Sequence, residues 1–271
     1  AIGSLVAVAP GESLEPSVQL LLRALKDTSK SVRLPASWSV ANLCNTVAVC
    51  YSNAARRSSS SRGRRNLDFS SPAADASDAV NAAADAADAA NAADAADAVV
   101  SLSTLADLAK ACVTAATQEG DKVRANAARA LGYLVAAADF SVSGGAGGGP
   151  PEVIQPGAWL PEVIQALMSC LTTGNSKVQW NACHAMGALF RNPTTAAANS
   201  AWSPLVVRML LLLLRDTRNF KIRMHAAAAL AVPGKRAEFG FAYPDTVNII
   251  TNALEGLDLD SHPESGGGGG G

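Results

Sequence analysis

The chain has 271 residues, a formal net charge of −1 and a hydrophobic content of 49%. The overall balance lacks the Lys and Arg surplus that phosphate binding needs, and the apolar run Met209 to Leu214 is far short of the ~20 residues of a membrane-spanning helix, so neither a nucleic-acid nor a membrane partner is expected. Five cysteines (Cys44, Cys50, Cys112, Cys170, Cys183) sit singly in apolar stretches without C-x-x-C spacing, which excludes the usual zinc and redox motifs and suits core residues in a reducing cytoplasmic or nuclear setting.

Residues 1–9 are apolar but lack the basic start and cleavage pattern of a signal peptide, and with no initial Met they read as an internal cut. From there one twelve-residue pattern organises the chain: VRLPASWSVANL from Val32, VRANAARALGYL from Val123, VQWNACHAMGAL from Val178 and IRMHAAAALAVP from Ile222. At 100° per residue, positions 0, 4, 7, 8 and 11 of each copy share one face, so each copy predicts one amphipathic helix. In the second copy these are Val123, Ala127, Ala130, Leu131 and Leu134, and in the third Val178, Ala182, Ala185, Met186 and Leu189.

A preceding helix is predicted from the spacing of Val18, Leu21, Leu22 and Leu25, and again of Val163, Ile164, Leu167, Met168 and Leu171. Pro16, Pro161 and Pro204 are expected at the starts of such helices, where a missing N–H costs nothing; they lie 16, 17 and 18 residues before Val32, Val178 and Ile222. Copy starts are separated by 91, 55 and 44 residues. Setting two low-complexity insertions aside restores a period near the roughly 40–47 residues of HEAT and armadillo repeats.

Residues 1–51 are thus a first repeat, and 52–98 an insertion. In that insertion five arginines (Arg56, Arg57, Arg62, Arg64, Arg65) precede an Asp-Ala tract whose three-residue period cannot keep one helical face buried, so disorder or a lone helix is expected. Residues 99–140 form a second repeat, 141–158 a Gly/Pro-rich linker, 159–192 a third repeat and 193–240 a fourth. Residues 241–258 are the first helix of an incomplete fifth repeat, with Val247, Ile250, Leu254 and Leu257 on one side, and 259–271 a Gly-rich tail. The fold expected is all-α, a right-handed α-α superhelix of HEAT/armadillo-type repeats, an α-solenoid.

Catalytic chemistry finds no foothold. Three histidines (His184, His225, His262) lack metal-ligand spacing, and Cys183 and His184 are helical neighbours that point about 100° apart and do not meet. The Gly144–Gly149 cluster lacks the Lys-Ser/Thr of a phosphate loop. No catalytic residue, cofactor, metal or small-molecule substrate is expected. A partner-binding surface is read instead from positions 2, 6 and 9, opposite the buried face of each copy: Leu34, Trp38, Ala41; Ala125, Arg129, Gly132; Trp180, His184, Gly187; Met224, Ala228, Ala231. Trp and Arg are hot-spot residue types, so Trp38, Arg129, Trp180 and His184 are the leading contacts, with intramolecular packing of both tryptophans as the alternative. Position 3 carries Pro35, Asn126, Asn181 and His225, and position 1 Arg33, Arg124, Gln179 and Arg223. These columns serve structure, or else the asparagines and His225 grip an extended peptide backbone.

KVQWNACHAMGALFRNP (Lys177 to Pro193), NFKIRMHAAAALAVPGKRAEFG (Asn219 to Gly240) and DKVRANAARALGYL (Asp121 to Leu134) resemble the HEAT repeat-containing protein six family. The likeness runs over roughly residues 100 to 257 and more loosely 16 to 50, and the Asp-Ala and glycine insertions depart from it. It implies an armadillo-type superhelix with a scaffold or adaptor role, protein partners and no assigned catalytic residues. A nuclear transport-type adaptor binding extended peptides, and a non-catalytic fragment of a larger enzyme or complex subunit, are the alternatives.

Overall fold

A computed structural model describes residues 14–63, 100–140 and 156–260. Every regular element among them is helical: α1 (Glu15–Leu25), α2 (Lys30–Gly63), α3 (Leu102–Gln118), α4 (Asp121–Ala137), α5 (Pro156–Thr173), α6 (Ser176–Arg191), α7 (Trp202–Asp216), α8 (Phe220–Leu230), the single turn α9 (Arg236–Phe239) and α10 (Tyr243–Asp260). Short 3₁₀ turns at Pro193–Thr195, Ala197–Asn199 and Gly240–Ala242 complete the connections.

The helices pair in chain order, and the pairs stack. First helices α1, α3, α5 and α7 form one row, joined by α10; second helices α2, α4, α6 and α8 form the other, each touching the next. This is an α-solenoid, in which a helix pair too small for its own core buries its apolar face against its neighbours. The expected face is the buried one, except that Val32 at the start of the first copy is exposed. Val123, Ala127, Ala130, Leu131 and Leu134 of α4 and Val178, Ala182, Ala185, Met186 and Leu189 of α6 are all buried, as are Val18, Leu21, Leu22 and Leu25 of α1.

Polar caps set where the second helices begin. Asn175 accepts from the backbone N–H groups of Lys177 and Val178, and Asn219 from those of Lys221 and Ile222, satisfying donors with no intrahelical partner. At the far end of the pair α5–α6, Asn192 donates through Nδ2 to the carbonyls of Val135 (2.7 Å) and Ala138 (2.8 Å), fastening the end of α6 to that of α4.

Several boundaries differ from the expected ones. Pro161 lies inside α5, which begins at Pro156, ahead of the expected repeat start at residue 159. The added turn is held by Trp159, which is buried edge-on against Phe140 with ring centroids 5.0 Å apart, and this packing outweighs the backbone bond Pro161 cannot make. Pro16 and Pro204 do sit in first turns. Helix α2 runs on past Tyr51 through Gly63, so no break falls at the 51/52 boundary; the rest of the Arg/Ser and Asp-Ala insertion, most of the Gly/Pro linker and the glycine tail lie outside the described residues. In α10 the packed side is that of Thr246 and Ile249, while Val247, Ile250 and Leu254 are exposed.

Candidate functional site

The exposed side of the second-helix row is narrower than a helical wheel implies. Position 9 of the first three copies (Ala41, Gly132, Gly187) and Ala125 are buried, because these second helices are covered by the next one as well as by their own first helix, whereas Ala228 and Ala231 of the fourth copy are exposed. Gly132 shows how close the rows approach: a Cβ there would lie 3.0 Å from the Cα and Cβ of Ala185 on α6.

The position-1 and position-3 columns are built into the seams. Arg33 pairs with Glu119 (2.7 Å) and donates to the carbonyls of Asp27 and Thr28. Arg124 donates to Ala116 O (3.0 Å) and Thr173 Oγ1 (2.8 Å), and Gln179 to Leu171 O (2.9 Å). Arg124 and Gln179 therefore tie a second helix to the end of its own first helix and Arg33 to the turn that follows it, and the two arginines reach the next pair too. Asn181 Nδ2 donates to Ala125 O (3.0 Å), at position 2 of the preceding copy. Asn126 Nδ2 donates to Ser37 Oγ (3.0 Å), which itself donates to Leu34 O, again at position 2. In the first copy a serine relays the contact its successor makes directly. Asn126 is largely buried with its amide engaged, and the amide of Asn181 is engaged in the same way.

Trp38 behaves differently. Its side chain is 51% exposed and stands at a groove of about 640 Å³ formed with Leu34, Pro35, Lys122, Asn126 and Lys177. Trp180 is half-buried by the next repeat, with Lys221 Nζ 5.0 Å above its ring and the His225 ring 6.3 Å away. Arg129 reaches back to Asn42 Oδ1 (3.3 Å), and its Nε is buried without a hydrogen-bond partner. His184 borders a second groove of about 500 Å³ with Tyr133, Arg191 and Asn192. Desolvation, then the charges of Arg191 and His225, hold the His184 imidazole below its ordinary pKa. Of the seven expected contacts, Trp38 and His184 are open, Arg129, Trp180, Asn181 and His225 are partly covered, and Asn126 is buried.

Lysine was the type missed, although the repeats carry it openly. Lys122, Lys177 and Lys221 occupy the position just before each of the last three copies, second in their helices and exposed. The thiol beside His184 is closed off from solvent: Cys183 is fully buried, and burial pushes it up to about 12. Among the described residues no group of three or more His, Cys, Asp or Glu side chains is placed to hold a metal ion, and no single helix is long and apolar enough to cross a membrane.

No known protein-family profile matches the chain. A stretch of 96 residues is 31% identical to an uncharacterized protein of Dictyostelium discoideum, covering 31% of this chain and 6% of that protein, so the chain spans a small fraction of that relative's length. Among solved structures it is similar to an engineered protein (TM-score 0.44, 18% identity, 88% of this chain and 89% of that one). A second engineered protein (TM-score 0.40, 19%, 92% of each) and a designed armadillo repeat protein (TM-score 0.32, 16%, 84% and 90%) are also similar. The helical repeat fold itself rests on the two stacked rows described above.

Proposed function

We propose that the chain is a non-catalytic scaffold of HEAT/armadillo type, with repeats resembling those of the HEAT repeat-containing protein six family, and that it holds protein partners along its second-helix face. The observation that carries this is Trp38: a large aromatic ring left 51% exposed at the mouth of a groove on the second-helix face. Exposed aromatics flanked by polar rims are where binding energy concentrates. Free cysteines, with Cys44 and Cys112 adjacent as thiols, suit a cytoplasmic or nuclear setting. An adaptor gripping basic peptides is the weaker reading, because the asparagine amides are engaged between helices and the exposed charges on this face are lysines and arginines.

The test is affinity capture with the whole chain, quantified by mass spectrometry against a Trp38→Ala/Trp180→Ala double variant of unchanged helicity. Specific partners are expected to drop out with the variant. Retention of every partner would remove the proposed surface.

A further inference from the structure

The formal charge of −1 conceals a sorting of charge by helix class. Where side chains are described, the second helices carry nine Lys and Arg residues (Lys30, Arg33, Lys122, Arg124, Arg129, Lys177, Arg191, Lys221, Arg223) against a single acid, Asp121, which faces Arg124 at 3.4 Å. The first helices are balanced instead, with Glu15, Asp107, Glu162 and Asp216 against Arg23, Lys110, Arg208 and Arg215. Lys122 and Lys177 reach the groove beside Trp38, and neither pairs with a described carboxylate. Their placement opposes helix stability, since a cation in the first turn meets the positive end of the helix dipole. Three repeats nevertheless put a lysine there; Lys221 lies over the Trp180 ring, whereas Lys122 and Lys177 face the groove.

We infer that the groove around Trp38 takes an extended acidic segment of a partner protein, with an apolar side chain over Trp38, Leu34 and Pro35 and carboxylates reaching Lys122 and Lys177. This rests on the scaffold reading above and names the partner's chemistry. An apolar floor between spaced lysines fits alternating apolar and acidic side chains better than a phosphate chain, which asks for a denser run of cations. Lys221, already over the Trp180 ring, extends the same basic line into the next repeat.

Short fluorescein-labelled peptides, read by anisotropy with the whole chain, test this: one rich in Asp and Glu around a single Phe, and its counterpart with Lys and Arg for the acids. A labelled single-stranded oligonucleotide is the third probe. The acidic peptide is expected to bind, more weakly as salt rises, and the basic one not to. Lys122→Glu/Lys177→Glu is expected to weaken the acidic peptide at least about tenfold, with Lys122→Arg/Lys177→Arg retaining it. Equal binding of both peptides, indifference to charge reversal at unchanged helicity, or tighter binding of the oligonucleotide would overturn the inference. If the acidic peptide fails while protein capture still depends on Trp38 and Trp180, the acidic partner falls and the scaffold stands; if capture ignores the tryptophans as well, both fall.

Discussion

At the scale of single residues, the seams between second helices run on a few polar side chains whose partners are one repeat away. Asn181 holds Ala125 O and Asn126 holds Ser37, so truncating either removes a part-buried or buried bond without opening a large cavity. Asn181→Ala should cost about 1 kcal/mol and Asn126→Ala about 1–2 kcal/mol, measured by urea unfolding. Unchanged midpoints would mean the column is decorative. Glu15 offers a pH signature at the other row. Burial acts to raise its pKa, but hydrogen bonds from Thr104 and Ser101 outweigh that and hold it below its ordinary 4.5. A carboxyl depressed on folding lends stability that is present above the unfolded value and lost as pH falls through the folded one. The melting-temperature gap between the native chain and Glu15→Gln should therefore be widest near neutrality and close below about pH 4.5, the unfolded-state value; a gap independent of pH would assign the difference to packing.

At the scale of elements, helix approach is decided by what stands at position 9. A Cβ on Gly132 would meet Ala185 backbone and side chain at 3.0 Å, whereas one on Gly187 would meet Ala229 at an ordinary 3.5 Å. Gly187→Ala should accordingly stabilise by about 0.5–1 kcal/mol through helix propensity, while Gly132→Val should destabilise by about 1–3 kcal/mol through overpacking. Thermal unfolding checks both, and equal signs would refute the difference in spacing. The same position explains how far the fold could be read beforehand. The face bearing Val123, Leu131 and Leu134 was legible because periodicity reports which side of a helix is apolar. That Gly132 and Ala125 are also covered was not, since small residues on the opposite side look solvent-facing until a neighbouring helix lies against them. For the same reason Trp38 and Trp180, alike on a wheel, ended in different environments: Lys221 and His225 stand over Trp180, whereas the equivalent Lys122 and Asn126 border a groove beside Trp38 and leave its ring exposed. Pro161 misled because a proline is also tolerated one turn inside a helix when Trp159 anchors the extra turn.

At the scale of the whole molecule, stacking in rows makes stability a sum of terms between neighbouring pairs, and opening should follow position in the row. Helices α4 and α6 each have a second helix on both sides and bury large side chains completely, Leu131, Leu134, Met186 and Leu189 among them. Helix α8 spans Phe220–Leu230 and buries only Ile222, Ala226, Ala229 and Leu230, and α10 leaves Val247, Ile250 and Leu254 in solvent. Native-state hydrogen exchange should therefore find the slowest amides in α4 and α6 and the fastest helical amides in α8 and α10. Perturbation should spread in the same geometry. Leu131→Ala, at a fully buried site on α4, which stacks between α2 and α6, should cost about 2–5 kcal/mol and speed exchange from α2 through α6. Ile222→Ala empties a site equally buried but at α8, and its effect should stay in α8 and the helices it touches, α6 and α7. If both substitutions instead raised exchange uniformly along the chain, the molecule would open as one cooperative unit, and the independence of neighbouring pairs that lets such an array present local grooves would be lost with it.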